Sequence, residues 1–235
     1  MPRIIKQPAV RRAELIAAAQ VLFFERGYEK TSVEEIIGRA GLSKGAFYYY
    51  FPSKEAVLAA LAEQMAQESA AQTQAIVADQ TLNGYERLNL FFKHSRRLKI
   101  ERASEALALF EALFRPENIA LYHQVLMRMS RVLVPVVADI LQQGMDDGSF
   151  LPADAQAMAE ILLGLTATTH DTVAALMDAK SEAAFQIAVA AFQRRWTTQG
   201  IVADRILGLP EGSIQFIEPG FAEAFFAGWR QRKAS

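Results

Sequence analysis

The chain contains no cysteine. That excludes a disulfide framework, thiol nucleophiles and cysteine-ligated metal sites. Its three histidines, His94, His123 and His170, fall at no i, i+4 spacing and in no local three-ligand cluster, so no metal is expected. There is no phosphate loop, glycine-rich dinucleotide turn, nucleophile elbow or metal motif. No catalytic residue and no cofactor are therefore expected, and an enzyme is the weaker reading. Asp146-Asp147 is an adjacent carboxylate pair, but it precedes Gly148, as a solvated helix end would. No apolar run approaches the roughly 18–20 residues of a membrane span, and the segment 161–165 is far too short. With no signal segment ahead of the first helix, a cytoplasmic protein without a membrane partner is expected. Alternating strand patterns, repeats and low-complexity tracts are lacking too.

What the 235 residues do have is a 51% apolar composition, enough for a sizeable core, and an uneven charge. The formal net charge is only −1, yet residues 1–54 hold nine Lys/Arg against five Glu, a net +4, and the remainder carries −5. A basic head on an acidic body is the pattern of a chain that meets nucleic acid at one end.

The run 31–54, TSVEEIIGRAGLSKGAFYYYFPSK, concentrates the signal. Val33, Ile36, Ile37 and Ala40 form one face of a 3.6-residue period. Ser32 with Glu35, or Thr31 with Glu34, can make a capping box at its start. Gly41 supplies the positive φ of a sharp turn, Ser43 can cap the next helix, and Pro52 stops it by pushing Phe51 out of the α region. That second helix has two faces. Ala46, Phe47, Tyr50 and Phe51 suit packing. Lys44, Gly45, Tyr48 and Tyr49 put a cation, accessible backbone and two phenols outward. A helix with such a face fits a major groove about 12 Å wide, with Lys and Tyr donating to phosphates or base edges. Ser53 reads as the cap of a following helix, so Lys54 opens that helix against its dipole, a conflict of about 0.3–1 kcal/mol that a bound phosphate would reverse.

These residues resemble the helix-turn-helix of the tetracycline-repressor (TetR) family of bacterial transcription regulators. The likeness runs from Arg11 to Leu61. It is carried by Phe23-Phe24-Glu25-Arg26-Gly27-Tyr28, Thr31-Ser32-Val33, Ala40-Gly41-Leu42-Ser43-Lys44-Gly45, Phe47-Tyr48, Tyr50-Phe51 and Ser53-Lys54-Glu55. Ala46 stands where the family often has Thr, Tyr49 where His is frequent, and Phe47 where Leu is usual. The resemblance implies an all-α fold, with a helix-turn-helix domain over 9–69 and a helical effector-binding and dimerisation domain over 70–235. It implies a ligand-released homodimeric repressor on a palindromic double-stranded DNA operator, the effector altering recognition-helix spacing through the helix that starts at Ser53. The candidate DNA-contacting residues are Thr31, Ser32, Ser43, Lys44, Gly45, Ala46, Tyr48, Tyr49 and Lys54. Readings of other kinds are a helical small-molecule-binding or interaction protein without DNA binding, and a transcriptional activator.

Elsewhere the pattern predicts helices over 10–26, 53–79, 84–99, 102–114, 117–147, 153–177 and 181–196. Leu15, Ile16, Ala19, Leu22 and Phe23 would face inward on the first. Ala56, Val57, Ala60, Leu61, Gln64 and Met65 would line one side of the second. Pro116 should open, and Pro135 kink, the 117–147 helix, and Gly148 and Pro152 punctuate the turn after it. Short helices should fill a tail from Gly200, the last near 221–232 with Phe221, Phe225 and Trp229 on one side. The helices 153–177 and 181–196, rich in small residues, are the expected dimer surface. An apolar or aromatic small-molecule effector is expected between about 84 and 180, with His94, Phe110, His123, Met127 and His170 as candidate contacts.

Overall fold

A computed structural model describes residues 7–101, 109–151 and 153–226. It is all-α, with no strand among the described residues. In order the helices are α1 (Pro8–Arg26), α2 (Val33–Ala40), α3 (Lys44–Tyr50), α4 (Lys54–Ala78), α5 (Gly84–Glu101), α6 (Ile119–Asp146), α7 (Ala155–Leu165), α8 (His170–Asp178) and α9 (Glu182–Leu207). Residues 109–113 and 221–226 are also helical, and 3₁₀ turns occupy Pro116–Asn118 and Thr166–Thr169. The chain divides into two compact units, Met1–Gln64 with Ser104–Arg128, and Met65–Ala103 with Met129–Ser235.

In the first unit α1 buries Leu15, Ile16, Ala18, Ala19, Leu22 and Phe23 on the face that the periodicity predicts. Gly27 ends it at φ 84°. The start of α4 departs from expectation. After an exposed Glu55 its residues 57–62 are buried on every side, with Leu58, Ala59 and Ala62 as inaccessible as Val57. The reason lies in the unit's composition. The 104–128 segment belongs to it, burying Leu109, Ala112, Leu113 and Tyr122 and pairing Arg128 with Glu63 at 3.3 Å. A helix covered by two layers has no polar face to reveal it in sequence.

The second unit is built on one apolar core. Leu88, Phe91 and Phe92 of α5 pack with Val134, Val137, Ile140 and Leu141 of α6, Met158 and Leu162 of α7, and Ala203 and Leu207 of α9. The first turn of α5 meets the last turns of α6 through glycine. A Cβ on Gly84 would sit 2.1 Å from the Gly144 Cα, and one on Gly144 would sit 2.2 Å from the Phe150 ring. Asp147 fixes the same junction, accepting from the Gly84 N–H at 2.7 Å and from the Ser149 N–H at 2.9 Å. Burial presses the Asp147 carboxyl upward, but hydrogen bonds from Ser149 and Gly84 outweigh it and hold the group below the usual range. Asp146-Asp147 is thus a helix-end device.

Two long helices expected over 153–177 and 181–196 take different forms. The first is divided by the 3₁₀ turn at Thr166–Thr169. There the hydroxyls of Thr166, Thr168 and Thr169 donate to the carbonyls of Leu163, Leu165 and Thr166 at 2.6, 2.9 and 2.6 Å. Side-chain competition for backbone acceptors tightens the turn. The second runs on through Gly200 to Leu207, where Gly208 at φ 76° closes it. Gly200 marks a close approach and no boundary: a Cβ there would lie 2.8 Å from the Ile214 carbonyl oxygen. The strap 208–218 is tied down by polar groups. Buried Asp204 accepts from the N–H groups of Gly212 and Ile214 at 2.7 and 2.8 Å. Asn89 donates to Ser213 O at 3.2 Å, and Arg96 donates to Gln215 O and Glu218. Phe221 and Phe225 stack at 5.7 Å. Pro152 and Trp229 lie outside the described residues, as do 102–108 of the helix expected over 102–114.

Gly144→Ala should lower unfolding free energy by about 1–3 kcal/mol, as overpacking does. Gly38→Ala, at a helical position with nothing within 4 Å of the added Cβ, should raise it by about 0.5–1 kcal/mol. Thermal unfolding of the two variants beside the parent checks both signs.

Candidate nucleic-acid interface

The surface centred on α3 is assembled by caps. Ser32 Oγ accepts from the Glu35 N–H at 3.2 Å, and Glu35 Oε2 accepts from the Ser32 N–H at 2.8 Å. Of the two capping boxes open to the sequence, Ser32–Glu35 is the one formed. The Ser32 N–H, then its hydroxyl, hold the Glu35 carboxyl below the usual range, with Arg26 adding to the effect. Arg26 reaches Glu35 at 2.6 Å and Arg39 reaches Glu25 at 3.3 Å, so two exposed pairs join α1 to α2. Gly41 closes α2 at φ 64°, and the Leu42 N–H returns to Ile37 O at 3.1 Å, a Schellman closure. Ser43 then caps α3, its Oγ accepting from the Ala46 N–H at 3.2 Å. Phe51, at φ −136°, leaves the helix ahead of Pro52.

The two faces of α3 fall as the sequence places them. Phe47 and Phe51 are buried, with Tyr50 and Ala46 partly so. Lys44, Gly45, Tyr48 and Tyr49 are exposed, Tyr49 to 77%. Arg12 lies over the Phe51 ring at 5.1 Å. The Lys44 ammonium has a loose contact with Glu34 at 3.5 Å, both side chains being 68% exposed. Such a pair contributes about 0–1 kcal/mol, so a phosphate can displace the carboxylate at little cost. Nothing beyond Gly45 lies within 4 Å of a built Cβ, which leaves that backbone open to close approach.

Thr31 and Lys54 are placed differently from the rest of the candidate set. Thr31 is buried, its hydroxyl donating to Gly27 O at 2.9 Å. The Lys54 ammonium donates to Tyr28 O and Thr31 O at 2.9 and 3.0 Å and lies 4.1 Å above the centre of the Tyr28 ring. The Tyr28 hydroxyl donates in turn to Glu55 at 3.0 Å. Burial, then the Glu55 charge, push the Tyr28 hydroxyl far above its ordinary pKa. Burial presses the Glu55 carboxyl up, but the Ser53 hydroxyl, a backbone N–H and Tyr28 bring it below its ordinary value. Lys54 therefore clamps the α1–α2 connection to the start of α4. Two carbonyls and a ring face offset the unfavourable dipole of a cation at a helix start. The sequence carried no signal for this clamp, whose partners lie 26 and 23 residues away.

The candidate effector contacts lie in both units. In the first, Phe110 stacks on Phe114 at 4.7 Å, and His123 and Met127 are exposed. In the second, His170 is buried with Nδ1 at 3.3 Å from Asp171, and His94 buries an Nε2 that has no hydrogen-bond partner among the described residues.

Comparison with known proteins places this geometry. Residues 15–61 match the family described as bacterial regulatory proteins, tetR family, and residues 85–189 match the tetracyclin repressor-like C-terminal domain. Together they cover more than half of the chain. The HTH-type transcriptional repressor KstR2 of Mycolicibacterium smegmatis is 29% identical over 151 residues, which are 64% of this chain and 73% of the relative. Among solved structures, RolR without ligand is similar with a TM-score of 0.60 at 20% identity, over 91% of this chain and 95% of that one. RolR with resorcinol gives 0.58 at 22%, over 87% and 97%. Thermus thermophilus FadR with lauroyl-CoA gives 0.57 at 22%, over 77% and 93%. At such identities the structural likeness speaks for the fold. No helix among the described residues is long and apolar enough to cross a membrane. With the helix-turn-helix match carrying the DNA-binding head and the C-terminal match the helical body, this chain belongs to the tetracycline-repressor family of DNA-binding bacterial transcription regulators, which are not enzymes.

Proposed function

We propose that the chain is a homodimeric repressor that holds a palindromic operator and releases it when a small molecule binds the helical body. The observation that carries the DNA-contacting role is the outward face of α3, where Lys44, Gly45, Tyr48 and Tyr49 are exposed along a helix fixed from behind by Phe47 and Phe51. Ser32, Ser43 and Ala46 border that face at two helix starts, where backbone N–H groups favour phosphate. Thr31 and Lys54 act by holding those starts in place. One seven-residue helix is too small to specify a site, and two related by a two-fold axis read a palindrome. A second copy suits the body. Ala157, Ile161, Gly164 and Thr168 are exposed along one side from α7 into the following turn, and Ile187 on α9 is 71% exposed. In this division of labour 9–69 is the DNA-binding domain and 70–235 binds effector and the second copy.

Ligand response draws support from the neighbours solved with resorcinol and with lauroyl-CoA, and from the unpartnered His94 Nε2 inside the second unit. Both ligands join a large apolar or aromatic part to polar groups, and an effector of that class suits the aromatic-rich core around Phe91 and Phe92. The effector lowers operator affinity by its differential binding to the two states.

Selection from random DNA should yield a palindrome. Its affinity for the protein should fall steeply with salt, each phosphate contact adding about −0.9 to the slope of log K against log salt. Recovery of no motif, or salt-insensitive binding, rejects the reading. On that palindrome Tyr48→Phe should weaken binding by about 0.5–1.5 kcal/mol at all sites. Lys44→Ala should also make the slope shallower by about 0.9. Lys54→Met should lower both melting temperature and affinity while leaving the slope unchanged, because the ammonium it removes is spent on protein carbonyls. A slope change equal to that of Lys44→Ala would make Lys54 a phosphate ligand. For the dimer, Ile187→Asp should weaken self-association at least tenfold, since burying an Ile contributes about 1.5–3 kcal/mol. Sedimentation equilibrium reads this directly.

A further inference from the structure

The second unit pairs most of its buried polar groups, which makes the three that find no partner among the described residues informative: His94 Nε2 on α5 and two atoms on α9. Arg87 donates to Asp79 O, Arg96 to Gln215 O and Glu218, Thr169 to Thr166 O, and Asp204 accepts from two backbone N–H groups. On α9, however, the indole N–H of Trp196 and the amide oxygen of Gln199 are fully buried and find no hydrogen-bond partner among the described residues. A buried polar atom left unpaired is costly and calls for an explanation.

The two residues share a face of α9. Residues three apart on a helix lie on the same face, with Cβ atoms about 5–6 Å apart. The orientation of Gln199 is fixed, because its Nε2 donates to Leu165 O at 2.8 Å and to Thr168 Oγ1 at 2.9 Å. The amide cannot turn to offer its nitrogen, so Oε1 is an acceptor and the Trp196 Nε1–H is a donor. The surroundings of Trp196 are aromatic. Trp196 packs against Phe192 and Phe216, each at 5.9 Å, and Phe216 packs on Phe92 at 4.6 Å.

We propose that Trp196 and Gln199 form the polar anchor of the effector site and that they hold a hydroxyl on an aromatic ring. The proposal rests on the ligand-released reading above. A hydroxyl oxygen accepts from the indole N–H while its proton goes to Gln199 Oε1, so a single group satisfies both atoms. A carboxylate or ketone brings no donor to Oε1, and an ammonium accepts nothing from the indole. The aromatic side chains give a ring edge-on and offset-stacked contacts beside the hydroxyl.

The test uses the full chain labelled with 5-fluorotryptophan. Two ¹⁹F signals arise from Trp196 and Trp229, and Trp196→Phe assigns them. Phenol, anisole and toluene are the probes. They share a ring, but anisole has lost the donated proton and toluene both polar functions. Phenol should shift the Trp196 signal saturably at a concentration about tenfold lower than anisole, as expected when a site's polar group is left unpaired by the analogue. In Gln199→Met the preference should vanish while the toluene response stays. Equal responses to phenol and anisole in the parent protein, or no saturable shift with phenol, overturn the proposal and leave a trapped water as the partner of the two atoms. The parent comparison needs no variant, so misfolding of Gln199→Met cannot mask the outcome. Failure of the broader reading looks different. Phenol selectivity at Trp196 with no compound releasing DNA would remove ligand release and keep the site. A compound that releases DNA equally from parent and Gln199→Met would keep ligand release and remove this anchor.

Discussion

Seven residues of helix cannot hold themselves. An isolated helix shorter than about 12–15 residues is marginal in water, and α3, from Lys44 to Tyr50, carries a glycine at its second position and three tyrosines that favour helix weakly. Its conformation is therefore imposed from outside, and the whole N-terminal unit can be read as the means of imposing it. Ser43 satisfies an amide at one end and Pro52 enforces the stop at the other. Phe47, wholly buried, and Phe51 fix its rotation. Gly41 sets the angle to α2. Behind these, Lys54 ties the loop before α2 to the helix after α3, so both neighbours of the recognition helix share one anchor. The surface offered to DNA is rigid because little of its stability resides in α3 itself.

That dependence also explains what the sequence disclosed. Caps and turns are encoded within three or four residues. Ser32 with Glu35, Gly41, Ser43 and Pro52 could each be assigned from chemistry alone, and with the alternation of Phe47 against Tyr48 they gave the outline of the interface. Side chains that act across the chain were not legible. Lys54 read as a candidate phosphate contact at an unfavourable helix end, because its carbonyl partners come from a loop whose path no local rule predicts. Thr31 looked like a cap and is instead a buried hydroxyl closing on Gly27. The same distinction runs through the body. Asn89 meets Ser213 across 124 positions, and the strap 208–218 is held by such contacts. Short helices were expected in the tail from Gly200, and Gly208, Pro210 and Gly212 announce irregular backbone without saying what satisfies it.

Helix ends in the body illustrate a second limit. The run Thr166–Thr169 interrupts the helix expected over 153–177, and what it does depends on where its hydroxyls go. They return to the chain's own carbonyls and tighten it into a 3₁₀ turn. One of them, on Thr168, also receives Gln199. The threonine run is thus first a backbone device, and through Thr168 it fixes the orientation of the Gln199 amide on a neighbouring helix. Glycine shows the converse. Gly200 suggested a helix end, but it sits inside α9 so that the Ile214 carbonyl can come close. Only the packing partner separates these meanings.

The contrast between satisfied and unsatisfied groups is the last step of the argument. Folding a core of this kind around Arg87, Arg96 and Asp204 works because each finds acceptors or donors within reach, and each joins α5 or α9 to a less regular segment. An apolar residue in place of Asp204 would serve its junction poorly, because the buried Ile214 N–H would then lose its partner. A chain under that constraint does not leave an indole N–H and an amide oxygen idle one turn apart by default. Replacing both with apolar groups of similar shape would be nearly neutral for a purely structural site. Their presence in an aromatic setting, with the amide orientation already fixed by Leu165 and Thr168, is what a preorganised recognition site requires: polar atoms aimed in advance, so that a guest loses little in ordering them.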